Sequence, residues 1–128
     1  RIQNDLFDLG ADLATPEGAT LAYQPLRIVE TQVERLEREI DDLNADLAPL
    51  KSFVLPGGSM VAAQLHLART VTRRAERLMV ELSEREVVGE PALRYVNRLS
   101  DFLFVAARAV NAAERGDVLW VPGQSRGV

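Results

Sequence analysis

Apolar side chains recur along this chain with the period of a helix, not that of a strand. Ile2, Leu6, Leu9 and Leu13 follow at spacings of four, three and four, and Phe7 and Ala14 widen the stripe. That rhythm is the mark of an amphipathic helix. It predicts about four turns, with Asp5, Asp8 and Asp12 on the wet side. Pro16 ends the element, because a residue before proline is pushed out of the helical region. Residues 16–25, with Gly18 and Tyr23, read as a loop. A second helix is expected from Leu26 to Leu47, carried by Val29, Val33, Leu36, Ile40, Leu43 and Leu47. Its stripe is narrow and fits a coiled-coil partner or a bundle equally well. Pro49 closes it.

Residues 51–59 break the rhythm. Phe53-Val54-Leu55 is a short apolar run, followed by Pro56-Gly57-Gly58-Ser59. The glycines permit a tight turn or positive φ, and Ser59 has the chemistry of an N-cap. A third helix is expected from Met60 to Glu86, with Val61, Leu65, Ala68, Val71, Ala75, Leu78 and Leu82 as its apolar face. A fourth runs from Pro91, a favoured first-turn proline, to Arg115, with Leu93, Val96, Leu99, Leu103, Ala107 and Val110 facing inward. Gly116 stops it. The tail from 116 to 128 holds Trp120, Pro122 and Gly123, and ends loosely. Four helices and no convincing strand predict an all-α antiparallel helical bundle with one long connection and one structured loop.

At 128 residues the chain is long enough for one domain and its core. Hydrophobic residues at 47% and charged residues at 27% argue against a largely disordered chain. No apolar run approaches the roughly 20 residues of a membrane span. Cysteine is absent, which excludes disulfides, thiolate metal sites and cysteine nucleophiles. The formal net charge of -4 weighs against general nucleic-acid binding. The N-terminus has no signal-peptide pattern and no initiator methionine. Arg1-Ile2-Gln3-Asn4-Asp5 reads as the middle of a helix, so an upstream segment is expected.

Charge departs from the average on the third helix. Arg69, Arg73 and Arg77 lie at i, i+4 and i+8, with Arg74 beside them and His66 near the start of the row. Glu76 is the only acid from Ser59 to Val80 against four arginines, a local +3 in a chain negative overall. Like charges one turn apart repel. Either acids elsewhere, such as Glu37, Asp41 and Asp42, neutralise the row, or it binds an anion. Guanidinium forks match phosphate oxygens. A nucleic-acid contact is the third reading, weakened by the lack of interleaved aromatics. Glu76 either orients the arginines or contacts a Mg²⁺ bridged to phosphate. Asn97 and Asp101 on the fourth helix either hydrogen-bond across the bundle or complete a nucleotide pocket. His66 is the sole histidine, so no multi-histidine metal site exists within one chain. No serine or threonine nucleophile motif is visible.

Three stretches taken in order resemble the PduO-type ATP:cob(I)alamin adenosyltransferases. They are Phe53-Val54-Leu55-Pro56-Gly57-Gly58-Ser59, then His66-Leu67-Ala68-Arg69-Thr70-Val71-Thr72-Arg73-Arg74-Ala75-Glu76-Arg77, then Tyr95-Val96-Asn97-Arg98-Leu99-Ser100-Asp101-Phe102-Leu103-Phe104. The resemblance extends from residue 1 to about 115. It implies a ferritin-like five-helix bundle whose first helix precedes this sequence, assembled as a homotrimer with active sites between adjacent subunits. Cobalt(I) of a reduced corrinoid would attack C5′ of ATP, giving adenosylcobalamin and triphosphate, with Mg²⁺ supporting ATP binding. By the same resemblance Arg73 and Arg77 hold the polyphosphate, Glu76 organises the Mg²⁺–ATP site, and Asn97 contacts ATP. Arg69 matches an arginine paired with an upstream aspartate across the subunit contact. Phe53 matches the phenylalanine on the corrinoid side, which displaces the lower axial ligand to favour four-coordinate cob(II)alamin. Phe53, Arg69 and Arg73 are thus the candidate catalytic residues.

The family's glycine-rich ATP loop, of the form TKxGDxGxT, is absent from these residues, and Thr72 stands where relatives often have cysteine. The expectations are one adenosyltransferase domain over 1–128, N-terminally incomplete, cytoplasmic, without nucleic-acid or membrane partners. A corrinoid reductase or an adenosylcobalamin-dependent acceptor enzyme would be its protein partner. The alternative is a structural bundle, or one that binds ATP without catalysis.

Overall fold

The computed structural model describes residues 1–127. It contains helices α1 (Ile2–Ala14), α2 (Glu30–Asn44), α3 (Met60–Ser83) and α4 (Glu90–Ala112). Each begins or ends where side-chain chemistry dictates. Thr15 adopts an extended conformation before Pro16 and bonds Ala11 O through its hydroxyl at 3.0 Å, closing α1. Ser59 Oγ accepts the Ala62 N–H at 3.1 Å and caps α3. Pro91 sits in the first turn of α4, and Gly116, at φ +84°, turns the chain back so that its N–H reaches Asn111 O at 2.7 Å.

Cross-helix pairs fix the directions. Asp5 and Asp12 of α1 meet residues near 35 and 27, so α1 and α2 run antiparallel. Glu76 faces Asn97 and Ser59 faces Asn111, so α3 and α4 are antiparallel. Glu30 meets Arg94 and Glu37 meets Arg98, so α2 and α4 pack side by side in the same direction. Successive helices therefore alternate, as the periodicity requires. α4 is the central element: Ala92, Tyr95, Val96, Leu99 and Leu103 pack with Leu9, Val33, Leu36 and Met79.

Three expectations need correction. α2 starts at Glu30, not Leu26. Arg27 donates to Asp12 O, Asp12 Oδ1 and Thr15 O at 2.6–2.9 Å, and the Ile28 N–H to Asp12 Oδ2 at 2.8 Å, which holds 26–29 extended. The helix begins where Gln32 Oε1 accepts the Val29 N–H at 3.0 Å. α2, α3 and α4 also end about three residues early, because their final turns open into the following loops. Next, the supposed wet side of α1 is partly core: Asp5 and Asp12 are buried, whereas Leu6 is exposed and Phe7 is 85% exposed. Finally, the apolar row assigned to the core side of α3 points outward. Val61, Ala68, Val71, Ala75 and Leu78 are exposed, and the face against α4 carries Ala62, His66, Met79 and half-buried Leu65, Arg69 and Glu76.

The tail is also more ordered than expected. Val54 and Leu119 form an antiparallel bridge, with Leu55 N–H donating to Val118 O at 2.7 Å and Trp120 N–H to Phe53 O at 2.8 Å. Val128 lies outside the described residues.

Candidate active site on the third and fourth helices

The antiparallel crossing of α3 and α4 converts two sequence rows into one site. Glu76 sits opposite Asn97. One of its oxygens accepts from Arg73 Nη1 at 3.2 Å and the other from Asn97 Nδ2 at 2.6 Å. Asn97 Oδ1 accepts from Arg98 Nη1 at 3.0 Å, and Arg98 Nε donates to Glu37 Oε1 at 3.0 Å. A continuous polar relay thus runs from α2 through α4 to α3, and it fixes which way the Asn97 amide faces. Charge-assisted bonds of this kind are shorter and stronger than neutral ones.

Next to this relay, Arg69, Arg73, Ser100, Asp101 and Phe104 line a cleft of about 290 Å³. The Arg69 guanidinium carbon stands 5.3 Å from the centroid of the Phe104 ring, a cation–π arrangement. Its Nε is buried with no hydrogen-bond partner among the described residues. The Arg73 side chain is 54% exposed and held on one side only, by Glu76, so it retains donors for an incoming anion.

The acids proposed to neutralise the arginine row do not do so. Glu37 pairs with Arg94 and Arg98 of α4, and Glu30 with Arg94. Among the described residues Arg69, Arg74 and Arg77 have no acidic partner. Unneutralised guanidinium groups along one helix favour an anion as the missing counter-charge.

The structure brings Arg69, Arg73, Glu76 and Asn97 together. Arg77 is exposed and does not line the cleft, nor does Phe53. Phe53 stands on the loop before α3, 75% exposed, with its ring 5.8 Å from that of Trp120 at 56°. Ser52 Oγ donates to Trp120 O at 2.6 Å and helps tie the two bridged segments together.

His66 is wholly buried and neither ring nitrogen has a hydrogen-bond partner among the described residues. Its ring meets the edge of Phe104 at 6.3 Å. Burial, reinforced by the Arg69 charge and opposed by Asp117, holds its pKa below the usual histidine value, so the imidazole is neutral near pH 7.

As a Mg²⁺ contact, Glu76 offers the right carboxylate chemistry but both its oxygens already accept hydrogen bonds. No group of three or more His, Cys, Asp or Glu side chains gathers around a common point among the described residues. The arrangement fits one protein carboxylate on a Mg²⁺ whose other ligands are phosphate oxygens and water, a common composition for that ion.

Two residues of the α4 C-terminal half were not anticipated. Arg108 is buried, pairs with Asp117 at 2.8 Å and donates to Ala48 O at 2.8 Å. Asn111 is buried and bonds the backbone on both sides of Gly58. Asn111 falls four residues after Ala107 on the inward line, and an amide at an apolar register position was the available signal.

Comparison with known proteins bears on the family and the fold. A family model described as cobalamin adenosyltransferase matches residues 1–110. A corrinoid adenosyltransferase of Mycobacterium tuberculosis (strain ATCC 25618 / H37Rv) is 52% identical over 128 residues, covering 98% of this chain and 65% of the relative. One from Bacillus subtilis (strain 168) is 49% identical over 118 residues, covering 91% of this chain and 59% of the relative. The chain therefore spans about two-thirds or less of the length of these relatives. A variant of the PduO-type ATP:corrinoid adenosyltransferase from Lactobacillus reuteri, complexed with cobalamin and ATP, superposes with a TM-score of 0.82 at 42% identity, covering 93% of this chain and 66% of that one. A second variant, complexed with ATP, gives a TM-score of 0.85 at 40% identity, covering 94% and 67%. With the family model matching most of its length and relatives at half identity, this chain belongs to the cobalamin adenosyltransferase family.

Proposed function

We propose that the protein containing this chain transfers the 5′-deoxyadenosyl group of ATP to the cobalt of cob(I)alamin. The observation that carries the reading is the cleft lined by Arg69 and Arg73, beside the Glu76–Asn97 pair, where guanidinium groups stand without acidic partners of their own on α2. The new bond joins cobalt to C5′, using the electron pair of cobalt(I). The bond that breaks is C5′–O, and triphosphate leaves with those electrons.

The residues of this chain serve that reaction by placement and charge. Arg73, with Arg77 further along the row, binds the polyphosphate and stabilises the charge that develops on the leaving group. Asn97, oriented by Arg98, holds the nucleotide. Glu76 keeps Arg73 and Asn97 in register and supplies one contact to Mg²⁺, which when bound would neutralise phosphate charge. Phe53 shields the corrinoid face and favours the four-coordinate cobalt(II) that precedes reduction. The hard chemistry belongs to the corrinoid, which accounts for a site with no protein nucleophile. A reductase would supply the electron for cobalt(I).

We assign the outward apolar row of α3 to contact with a neighbouring copy in a homotrimer. Its exposure on a helix that also bears the arginines, together with the unpartnered Nε of Arg69, supports an active site completed between subunits. No helix among the described residues is long and apolar enough to cross a membrane.

The test mixes the full-length protein with ATP, Mg²⁺ and cob(I)alamin under reducing conditions. Appearance of a cobalt–carbon bond, followed by its light-sensitive absorbance, is the expected result. A full-length protein that binds ATP and forms no such bond would establish the non-catalytic alternative.

A further inference from the structure

We infer that Asn111 is a positioning residue that sets the loop carrying Phe53, and that Arg108 supports it from one turn earlier on α4. The inference rests on the proposed adenosyltransferase reading and adds to it a device that the arginine cleft does not contain. Phe53 is largely exposed, so apart from Trp120 its ring has little side-chain packing to hold it in place. Its position is fixed through the backbone instead. Asn111 Nδ2 donates to Gly57 O at 3.0 Å, and Asn111 Oδ1 accepts the Ser59 N–H at 3.1 Å. One carboxamide thus spans Gly58 and satisfies the loop on both sides.

Gly58 is matched to it. Its φ of +108° is a conformation that side-chain-bearing residues rarely adopt, and a Cβ there would fall 2.2 Å from Asn111 Oδ1. The amide and the bare backbone interlock, and neither position accepts bulk. Arg108 meanwhile holds the loop's approach through Ala48 O and the tail through Asp117. The tail in turn pairs with Phe53 through the Trp120 N–H and packs Trp120 against its ring. Asn111 and Arg108, three residues apart on one helix, therefore clasp both strands that present the two aromatics.

Trp120 is the only tryptophan among these 128 residues and stands against Phe53, so its fluorescence reports on the two paired segments, and a Trp120→Phe control gives its share of the signal in the full-length protein. The experiment uses the full-length protein and the variants Asn111→Ala and Gly58→Ala. The second variant keeps the Asn111 side chain and crowds it from the exposed loop, so it keeps the inference open to refutation if Asn111→Ala fails to fold. In both variants kcat for cobalt–carbon bond formation should fall by about ten- to a hundredfold, the scale of an ångström-sized misplacement. The KM for ATP should stay within about twofold, because nucleotide contacts are intact. Trp120 should become more accessible to acrylamide, and the absorption of four-coordinate cob(II)alamin should weaken on ATP-loaded protein. A kcat close to wild type in folded variants would overturn the inference, as would a rise in the ATP KM matching the loss of kcat. Wild-type protein that forms no cobalt–carbon bond would instead overturn the proposed function, and that control is read first.

Discussion

Replacing Asp5 by alanine should remove a large share of the bundle's stability. Asp5 is only 5% exposed, yet it accepts hydrogen bonds from the Tyr95 hydroxyl at 2.7 Å and from Gln32 Nε2 at 3.0 Å, and it pairs with Arg35. Tyr95 is fully buried at the centre of α4, so its hydroxyl has no water to turn to. Removing the carboxylate leaves a buried hydroxyl unsatisfied and a half-buried guanidinium with only Glu39, 3.8 Å away. Breaking such a buried pair costs about 3–5 kcal/mol, against a total stability of about 5–15 kcal/mol for a domain. The assay is urea unfolding followed by circular dichroism, with Tyr95→Phe and the double variant completing a cycle. Once Asp5 is gone, Tyr95→Phe should cost little or even stabilise, since it removes the orphaned hydroxyl. The pH dependence supplies a second reading. Burial raises the Asp5 pKa, but the Tyr95 and Gln32 hydrogen bonds and the Arg35 charge outweigh it and hold the carboxyl below its ordinary value. The folded state then binds fewer protons than the unfolded one across that interval, so the contribution is present above about pH 4 and is lost as pH falls through the folded value. Asp5→Asn should therefore flatten the acid limb. A loss under about 1 kcal/mol for Asp5→Ala, or a Tyr95→Phe cost equal in both backgrounds, would refute the coupling.

Further predictions concern the site and its support. Arg73→Ala should lower kcat/KM for ATP by about ten- to a hundredfold, from one lost charge-assisted contact at about 1.5–3 kcal/mol, while corrinoid binding is retained. Glu76→Ala should also impair ATP use more than corrinoid binding, and steady-state kinetics with each substrate varied in turn separates the two. Phe53→Ala should reduce turnover and leave the thermal unfolding midpoint nearly unchanged, because the ring is exposed. His66, held neutral by burial and by Arg69, should make stability fall as pH drops below about 6.5, since the unfolded imidazole takes up a proton that the folded one refuses. Melting curves of wild type and His66→Phe from neutral to mildly acidic pH would show that slope in the first and its loss in the second.

The number of helices, their order and the turn at Pro56–Ser59 were legible because periodicity, proline and glycine act locally. The arginine row and its pairing with Glu76 were legible for the same reason, since three- and four-residue spacings settle which side chains share a helix face. Which face turns inward was not. α3 carries an apolar row and a mixed polar row on opposite sides, and hydrophobicity alone favours burying the first. The observed fold buries the second, because His66, Arg69 and Glu76 find α4 partners or enclosure there. α1 misled in the same way, since Asp5 and Asp12 are inward only because Tyr95, Arg35 and Arg27, distant in sequence, come to meet them. Arg27 also shows why the α2 boundary was missed: its guanidinium captures carbonyls at the end of α1, a tertiary effect that overrides local propensity.

The outward row of Val61, Val71 and Leu78 sets a trade-off for anyone handling this chain. Lysine or glutamate at those positions would make an isolated preparation easier to keep in solution. The same changes would spoil the contact proposed with a neighbouring copy, so under that proposal ease of purification and catalytic competence should pull against each other along a single helix.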